Sequence, residues 1–226
     1  MTLLEPKVEI KEKTKHRVFL VDDHPLVREW LTNLINHHRD LIVCGEAESS
    51  AQALETIGQI QPDIVIVDLT LANGSGIELI KELKRTCPNV ATIVLSMHDE
   101  SVYGERAIRA GARGYVMKSE TTKKIIAALR QVLAGKVYVS DELQATLAAR
   151  IIHRDTGGSR VDQLSDRELE VFKLLGQGCE TRRIAELLNI SMKTVQVYYA
   201  RMKEKLDLLN VTELVREAVR WSETKV

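Results

Sequence analysis

The chain has 226 residues, of which 44% are apolar and 28% charged, and its formal net charge is zero. That composition can bury a proper core in one or two domains and excludes a disordered or collagen-like chain. The longest apolar runs, such as Ile64-Val65-Ile66-Val67, are far too short to span a membrane. Cys44, Cys87 and Cys179 lie far apart with no Cys-x-x-Cys pair, which argues against a disulfide framework and predicts a cytoplasmic protein.

In chain order, residues 1–15 are polar and read as a flexible tail without the apolar core of a secretory signal. From residue 16 short apolar runs (Val18–Val21, Leu41–Cys44, Ile64–Val67, Thr92–Leu95, Tyr115–Met117) alternate with segments whose apolar residues recur at helical spacing. Leu26, Trp30 and Leu34 are one example, and Ile125, Leu129 and Leu133 another. Unbroken apolar strands alternating with helices predict a parallel, doubly wound sheet over residues 16–137. Residues 138–161 read as a linker carrying a helix at Asp141–Ile152. Residues 162–226 are all-helical, with segments near Asp166–Leu175, Thr181–Leu188, Met192–Leu206 and Glu213–Trp221.

In such a sheet, sites form outside the carboxyl ends of the strands. Those ends carry Asp22, Asp23 and Asp68, with Ser96 after the fourth strand and Lys118 after the fifth. Three converging carboxylates repel one another unless a cation intervenes, and a hard ion such as Mg²⁺ suits them. With Mg²⁺ and Lys118 nearby, a carboxylate can act as nucleophile toward a phosphoryl group. His24, His98 and the His37-His38 pair lack metal-ligand spacing and read as loop or surface residues. Trp30 and Trp221 read as packing residues.

Phe19-Leu-Val-Asp22-Asp23-His24, Ile64-Val-Ile-Val-Asp68-Leu, Val94-Leu-Ser96-Met and Ala110-Gly-Ala-Arg-Gly-Tyr115-Val-Met-Lys118 resemble the receiver domain of two-component response regulators. The resemblance implies a flavodoxin-like strand order 2-1-3-4-5 and phosphorylation of Asp68 by a sensor histidine kinase. It further implies Mg²⁺ on Asp22, Asp23, Asp68 and the Thr70 carbonyl, with Lys118 pairing to the phosphoryl group. Ser96 and Tyr115 become a switch pair that rearranges the surface around the fourth helix and fifth strand. Ala72 stands where the family often has proline.

Within Arg182–Lys205 six basic residues face two acidic ones. At 100° per residue from Val195, Tyr198, Met202 and Leu206 fall on one stripe, predicted buried. Lys193, Val197, Ala200, Arg201 and Glu204 point away, with Thr194 and Gln196 on the flanks. Ile184, Leu187 and Leu188 of the preceding segment are predicted to face inward. The outward face suits a major groove of double-stranded DNA, with Arg182, Arg183 and Lys205 as further basic contacts. Leu164-Ser-Asp-Arg-Glu168-Leu, Ile184-Ala-Glu-Leu-Leu-Asn-Ile-Ser191 and Lys193-Thr-Val resemble the LuxR-type DNA-binding domain, and the whole chain is similar to NarL/FixJ-type regulators. Gln196 departs from the family's usual Lys and Tyr198 from its usual His. The resemblance implies a homodimer on DNA, with Leu214, Val215 and Ala218 as contacts and RNA polymerase as a further candidate partner. An aspartate-nucleophile phosphohydrolase would need a second carboxylate where Thr70 stands, so an enzyme beyond autophosphatase activity is not expected. A regulator working without phosphate would not need the complete pocket.

Overall fold

The computed structural model describes residues 15–71, 74–153 and 160–223. They fall into two compact units: the residues up to Met97 with Ala107–Tyr138, and His98–Arg106 with Val139 onward. In the first stretch the chain runs β1 (His16–Val21), α1 (Pro25–Asn36), β2 (Leu41–Ala47), α2 (Ser50–Ile60) and β3 (Ile64–Val67). It continues through β4 (Thr70–Leu71), β5 (Gly74–Ser75), α3 (Gly76–Thr86), β6 (Ala91–Ser96), α4 (Glu100–Ala110), β7 (Gly114–Met117) and α5 (Thr122–Leu133).

Five strands form one sheet in the order β2-β1-β3-β6-β7, all parallel. Counting only these strands, the order is the expected 2-1-3-4-5. All residues of β3 and β6 are buried, as expected of β-branched strands covered by helices on both faces. Leu20, Ile66 and Ile93 meet Leu31, Ile35 and Leu129 in one core cluster. Each such side chain contributes roughly 1.5–3 kcal/mol by leaving water. The chain turns from β1 to β2 on one side and to β3 on the other. The carboxyl ends of β1 and β3 therefore flank the crevice where this fold places its sites. The two-residue antiparallel pair β4–β5, unanticipated from sequence, closes the loop after β3.

The second unit contains α6 (Asp141–His153), a 3₁₀ turn (Arg160–Gln163), α7 (Asp166–Gly176), α8 (Thr181–Leu187), α9 (Met192–Leu206) and α10 (Val211–Glu223). Ser165 opens α7 with a capping box: Glu168 N–H donates to its hydroxyl, and Ser165 N–H donates to Glu168 Oε2 at 2.7 Å. The α8–α9 turn passes through Asn189 at φ 52°, a left-handed position that asparagine tolerates, to the cap Ser191. Phe172 of α7 meets Trp221 of α10 edge to face at 5.8 Å. Packing assigns residues 98–106, expected in the sheet domain, to this second unit. There Arg106 donates to the carbonyls of Leu164 and Val161, each at 2.8 Å, and pairs with Asp166 at 3.5 Å. The expected tail, apart from residue 15, and most of the loop after α6 lie outside the described residues.

Four expectations need correction. The buried stripe of α9 is Val195, Tyr199, Met202 and Leu206, with Tyr198 only half-buried. Tyr199 lies about 40° from Val195 and Tyr198 about 60°, so the former sits nearer the stripe's centre. Leu187 is exposed, because Ile184 and Ala185 provide the inward face of the short α8. Leu214 and Ala218 are fully buried, so they belong to the core; the exposed row of α10 is Val211, Val215 and Val219. Trp30 is exposed on α1.

Candidate functional site

Register builds the acidic pocket. Val21 pairs with Val67, so the next residues, Asp22 and Asp68, emerge side by side, and Asp68 N–H donates to the Val21 carbonyl at 2.8 Å. Ser96 pairs with Met117, which delivers Lys118 next to it; Lys118 N–H donates to the Ser96 carbonyl at 2.8 Å. The Lys118 ammonium bridges two carboxylates, 2.7 Å from Asp22 Oδ2 and 2.6 Å from Asp68 Oδ2. Asp22, Asp68, Ser96 and Tyr115 are all buried. Thr70 N–H makes a long 3.4 Å contact to Asp68 Oδ1. Ala72 lies outside the described residues.

Burial pushes the Asp68 carboxyl above the usual carboxylate range, against the downward pull of the Lys118 ammonium. Burial also works against the charge on Lys118, but the Asp68 and Asp22 carboxylates outweigh it and hold the ammonium above its ordinary value. The pocket therefore combines two buried acidic groups sharing one cation with a third acid, Asp23, whose Oδ1 is buried and accepts no hydrogen bond. An unsatisfied carboxylate oxygen beside two further carboxylates fits a hard divalent cation.

Three further contributors carry no signal in a list of acidic residues. Arg28 of α1 donates to the Asp22 carbonyl at 2.7 Å. Gly76, at the start of α3, lies against the backbone of Asp68 and Leu69; a Cβ there would stand 2.7 Å from Leu69 Cα and closer still to the Asp68 carbonyl. Only the path of the loop after β3 reveals that need. His24, dismissed on spacing, stands with Asp22, Asp23 and Asp68 so that one ligand atom of each lies within 4.8 Å of the others.

On α9, Lys193, Gln196, Val197, Ala200 and Arg201 are exposed along one side, as expected. Thr194 is half-buried and tied to the cap, its hydroxyl 2.8 Å from that of Ser191. Thr181 and Tyr199 hydroxyls, 3.4 Å apart, link α8 to α9. Arg182 and Arg183 are exposed and share Glu186. Lys205 turns inward: its ammonium lies 2.6 Å from Glu168 Oε2, a carboxylate buried at the start of α7.

A doubly wound sheet with an acid-and-lysine crevice, together with a turn-linked helix pair presenting a basic face, defines the class: a receiver-type domain with a helix–turn–helix domain. The family described as "Response regulator receiver domain" matches residues 18–130, and "Bacterial regulatory proteins, luxR family" matches residues 162–218. The chain is 31% identical over 204 residues to the response regulator GacA of Pseudomonas aeruginosa, covering 90% of this chain and 95% of GacA. It is 35% identical over 203 residues to the transcriptional activator protein ExaE of Pseudomonas putida, covering 89% and 95%. The solved structure of RcsB from Salmonella enterica serovar Typhimurium, bound to promoter rprA with phosphomimetic BeF₃⁻, aligns at TM-score 0.57 and 27% identity, covering 90% of this chain and 98% of RcsB. The chain belongs to the two-component response regulators with a LuxR-type DNA-binding domain, the NarL/FixJ family. No helix among the described residues is long and apolar enough to cross a membrane.

Proposed function

We propose that this regulator is switched by transfer of a phosphoryl group from the phosphohistidine of a sensor histidine kinase to Asp68, and that phosphorylation controls dimerisation and operator binding. The observation that carries the reading is the Lys118 ammonium held between Asp22 and Asp68 at the mouth of the β1–β3 crevice. In the transfer, an Asp68 oxygen forms the new O–P bond while the donor's N–P bond breaks. The leaving imidazole nitrogen keeps the electron pair and takes up a proton. Lys118 already engages Oδ2, which favours Oδ1 as the attacking atom. Asp22, Asp23, Asp68 and the Thr70 carbonyl would hold Mg²⁺. When bound, the ion neutralises charge on the phosphoryl oxygens. The new group adds about −1.5 to −2 charges; Ser96 and Lys118 turn to its oxygens, and Tyr115 follows Ser96.

For DNA, the early α9 residues Thr194, Gln196 and Val197 meet base edges, and Ala200 lets the backbone approach. Lys193, Arg201, Arg182 and Arg183 meet phosphate. Lys205 leaves this set because Glu168 holds its ammonium. The exposed Val211, Val215 and Val219 are the face of α10 offered to a second copy. The regulator works in the cytoplasm, where kinase, operator and RNA polymerase are within reach.

Incubation with a small phosphodonor, with and without Mg²⁺, tests the switch. The wild-type chain gains one phosphoryl group only when Mg²⁺ is present, and Asp68→Asn gains none because an amide does not attack phosphorus. Labelling of Asp68→Asn at full stoichiometry would remove Asp68 from this role. Sedimentation of both forms, with and without DNA, tests dimerisation.

A further inference from the structure

His24 is placed by local chain geometry so that an imidazole stands over the carboxylate pocket. Its N–H donates to Asp22 Oδ1 at 2.9 Å, and Pro25 begins α1 immediately after it, so its backbone is held beside the pocket. The ring Nδ1 lies 3.2 Å from Asp22 Oδ1 and 2.8 Å from Asp23 Oδ1. The second approach is not a hydrogen bond, since Asp23 Oδ1 accepts none. A ring nitrogen and a buried carboxylate oxygen therefore face each other at close range. Arg28, the neighbouring cation, turns instead to the Asp22 carbonyl at 2.7 Å and to Glu46 at 3.5 Å.

Two donors bound at right angles about 2.1 Å from one cation stand about 3.0 Å apart. The separations of 2.8 and 3.2 Å bracket that edge. We propose that His24 is a nitrogen ligand at the carboxylate pocket, which therefore binds first-row transition dications such as Co²⁺, Ni²⁺ and Zn²⁺ more tightly than Mg²⁺. The proposal rests on the reading that Asp22, Asp23 and Asp68 hold a divalent ion. Mg²⁺ takes oxygen donors and gains nothing from the ring, whereas borderline ions favour imidazole. The His24 side chain is 64% exposed, so it swings aside without repacking when an oxygen-only ion occupies the pocket.

Calorimetric titration of the full chain with Co²⁺ and with Mg²⁺, alongside the visible absorption of bound Co²⁺, tests this in wild type, His24→Ala and Asp23→Asn. His24→Ala weakens Co²⁺ on the order of tenfold or more, the scale on which ligand-shell changes alter metal affinity. It also shifts the Co²⁺ absorption band and leaves Mg²⁺ affinity unchanged. Asp23→Asn weakens both ions, which separates the pocket from Co²⁺ held by His37 or His38 elsewhere. Unchanged Co²⁺ affinity and spectrum in His24→Ala would overturn the proposal, as would a parallel loss of both ions, which marks a merely structural histidine. Mg²⁺ binding that depends on Asp23 while Co²⁺ ignores His24 removes only the imidazole. Failure of wild type to bind either ion removes the underlying cation site.

Discussion

The carboxyl edge of the sheet and the outward face of α9 differ in who satisfies their polar groups. At the sheet edge, Asp22, Asp68 and Ser96 are buried, and Asp22 and Asp68 answer to a partner inside the chain, the Lys118 ammonium. On α9, Lys193, Gln196 and Arg201 are exposed, and the proposed partner is another molecule. A buried charge without its counterpart is costly, whereas an exposed one is solvated by water. Substitutions at the sheet edge therefore act on both stability and chemistry, while those on α9 act on binding alone.

Lys118→Met is the strongest way to break this contrast. Removing the ammonium leaves Asp22 and Asp68 facing each other, and losing one partner of such a buried pair costs about 3–5 kcal/mol. Urea unfolding shows that loss in the absence of divalent ions, with partial recovery on adding Mg²⁺. An unchanged midpoint would mean the two carboxylates are already relieved by other means. The matching test on α9 is smaller. Gln196→Ala lowers discrimination at one base pair of each half-site by about 1–3 kcal/mol, whereas Lys193→Ala and Arg201→Ala weaken specific and random DNA together and reduce the salt slope. Binding across a library of operator variants measures both, and a sequence profile reshaped by Arg201→Ala but not by Gln196→Ala reverses the assignment. None of these three changes moves the unfolding midpoint.

Glu168 and Lys205 sharpen the comparison, because they bring sheet-edge logic into the helical unit. Burial raises the Glu168 carboxyl, but Lys205 and Ser165 together bring it below its ordinary value of 4.5. A carboxyl lowered in the folded state contributes stability that is complete above its unfolded value and disappears as pH falls through the folded one. Stability of the second unit should therefore fall on acidification below about pH 4.5. Glu168→Gln, which keeps a capping side chain, flattens that slope in urea titrations. The smallest effect is at Asp40, whose pairing with Arg130 at 2.8 Å lowers it from 3.8 to about 2. Its contribution, present above pH 3.8, is lost as pH falls through about 2. Both side chains are well exposed, so Asp40→Asn costs at most about 1 kcal/mol, and less at high salt.

Legibility in the sequence followed the same divide. The strand ends are readable because apolar runs terminate abruptly in Asp22, Asp68, Ser96 and Lys118, and a parallel sheet places all such ends on one edge. The outward face of α9 was readable from its period. Its inward face is ambiguous in sequence at Tyr198 and Tyr199, because a 100° step leaves two adjacent tyrosines within reach of one stripe, and contact with α8 chooses Tyr199. Leu214 and Ala218 face the core and not a partner, because α7 packs against α10, a contact that the α10 pattern does not encode.

By itself the sequence determined the layer architecture, the set of chemical groups at the sheet edge and the phase of the exposed face of α9, since each follows from local periodicity and residue type. Tertiary structure alone decided that Lys118 bridges two carboxylates, that Gly76 must lack a Cβ beside Asp68, and that Glu168 withdraws Lys205 from the basic face. It also decided that His24 joins the acidic cluster that its spacing had excluded. Apart from the turn that carries His24 and the loop that returns Gly76 to Asp68, these relations join residues far apart in the chain. Their geometry depends on strand register and helix docking, which no local window of sequence contains.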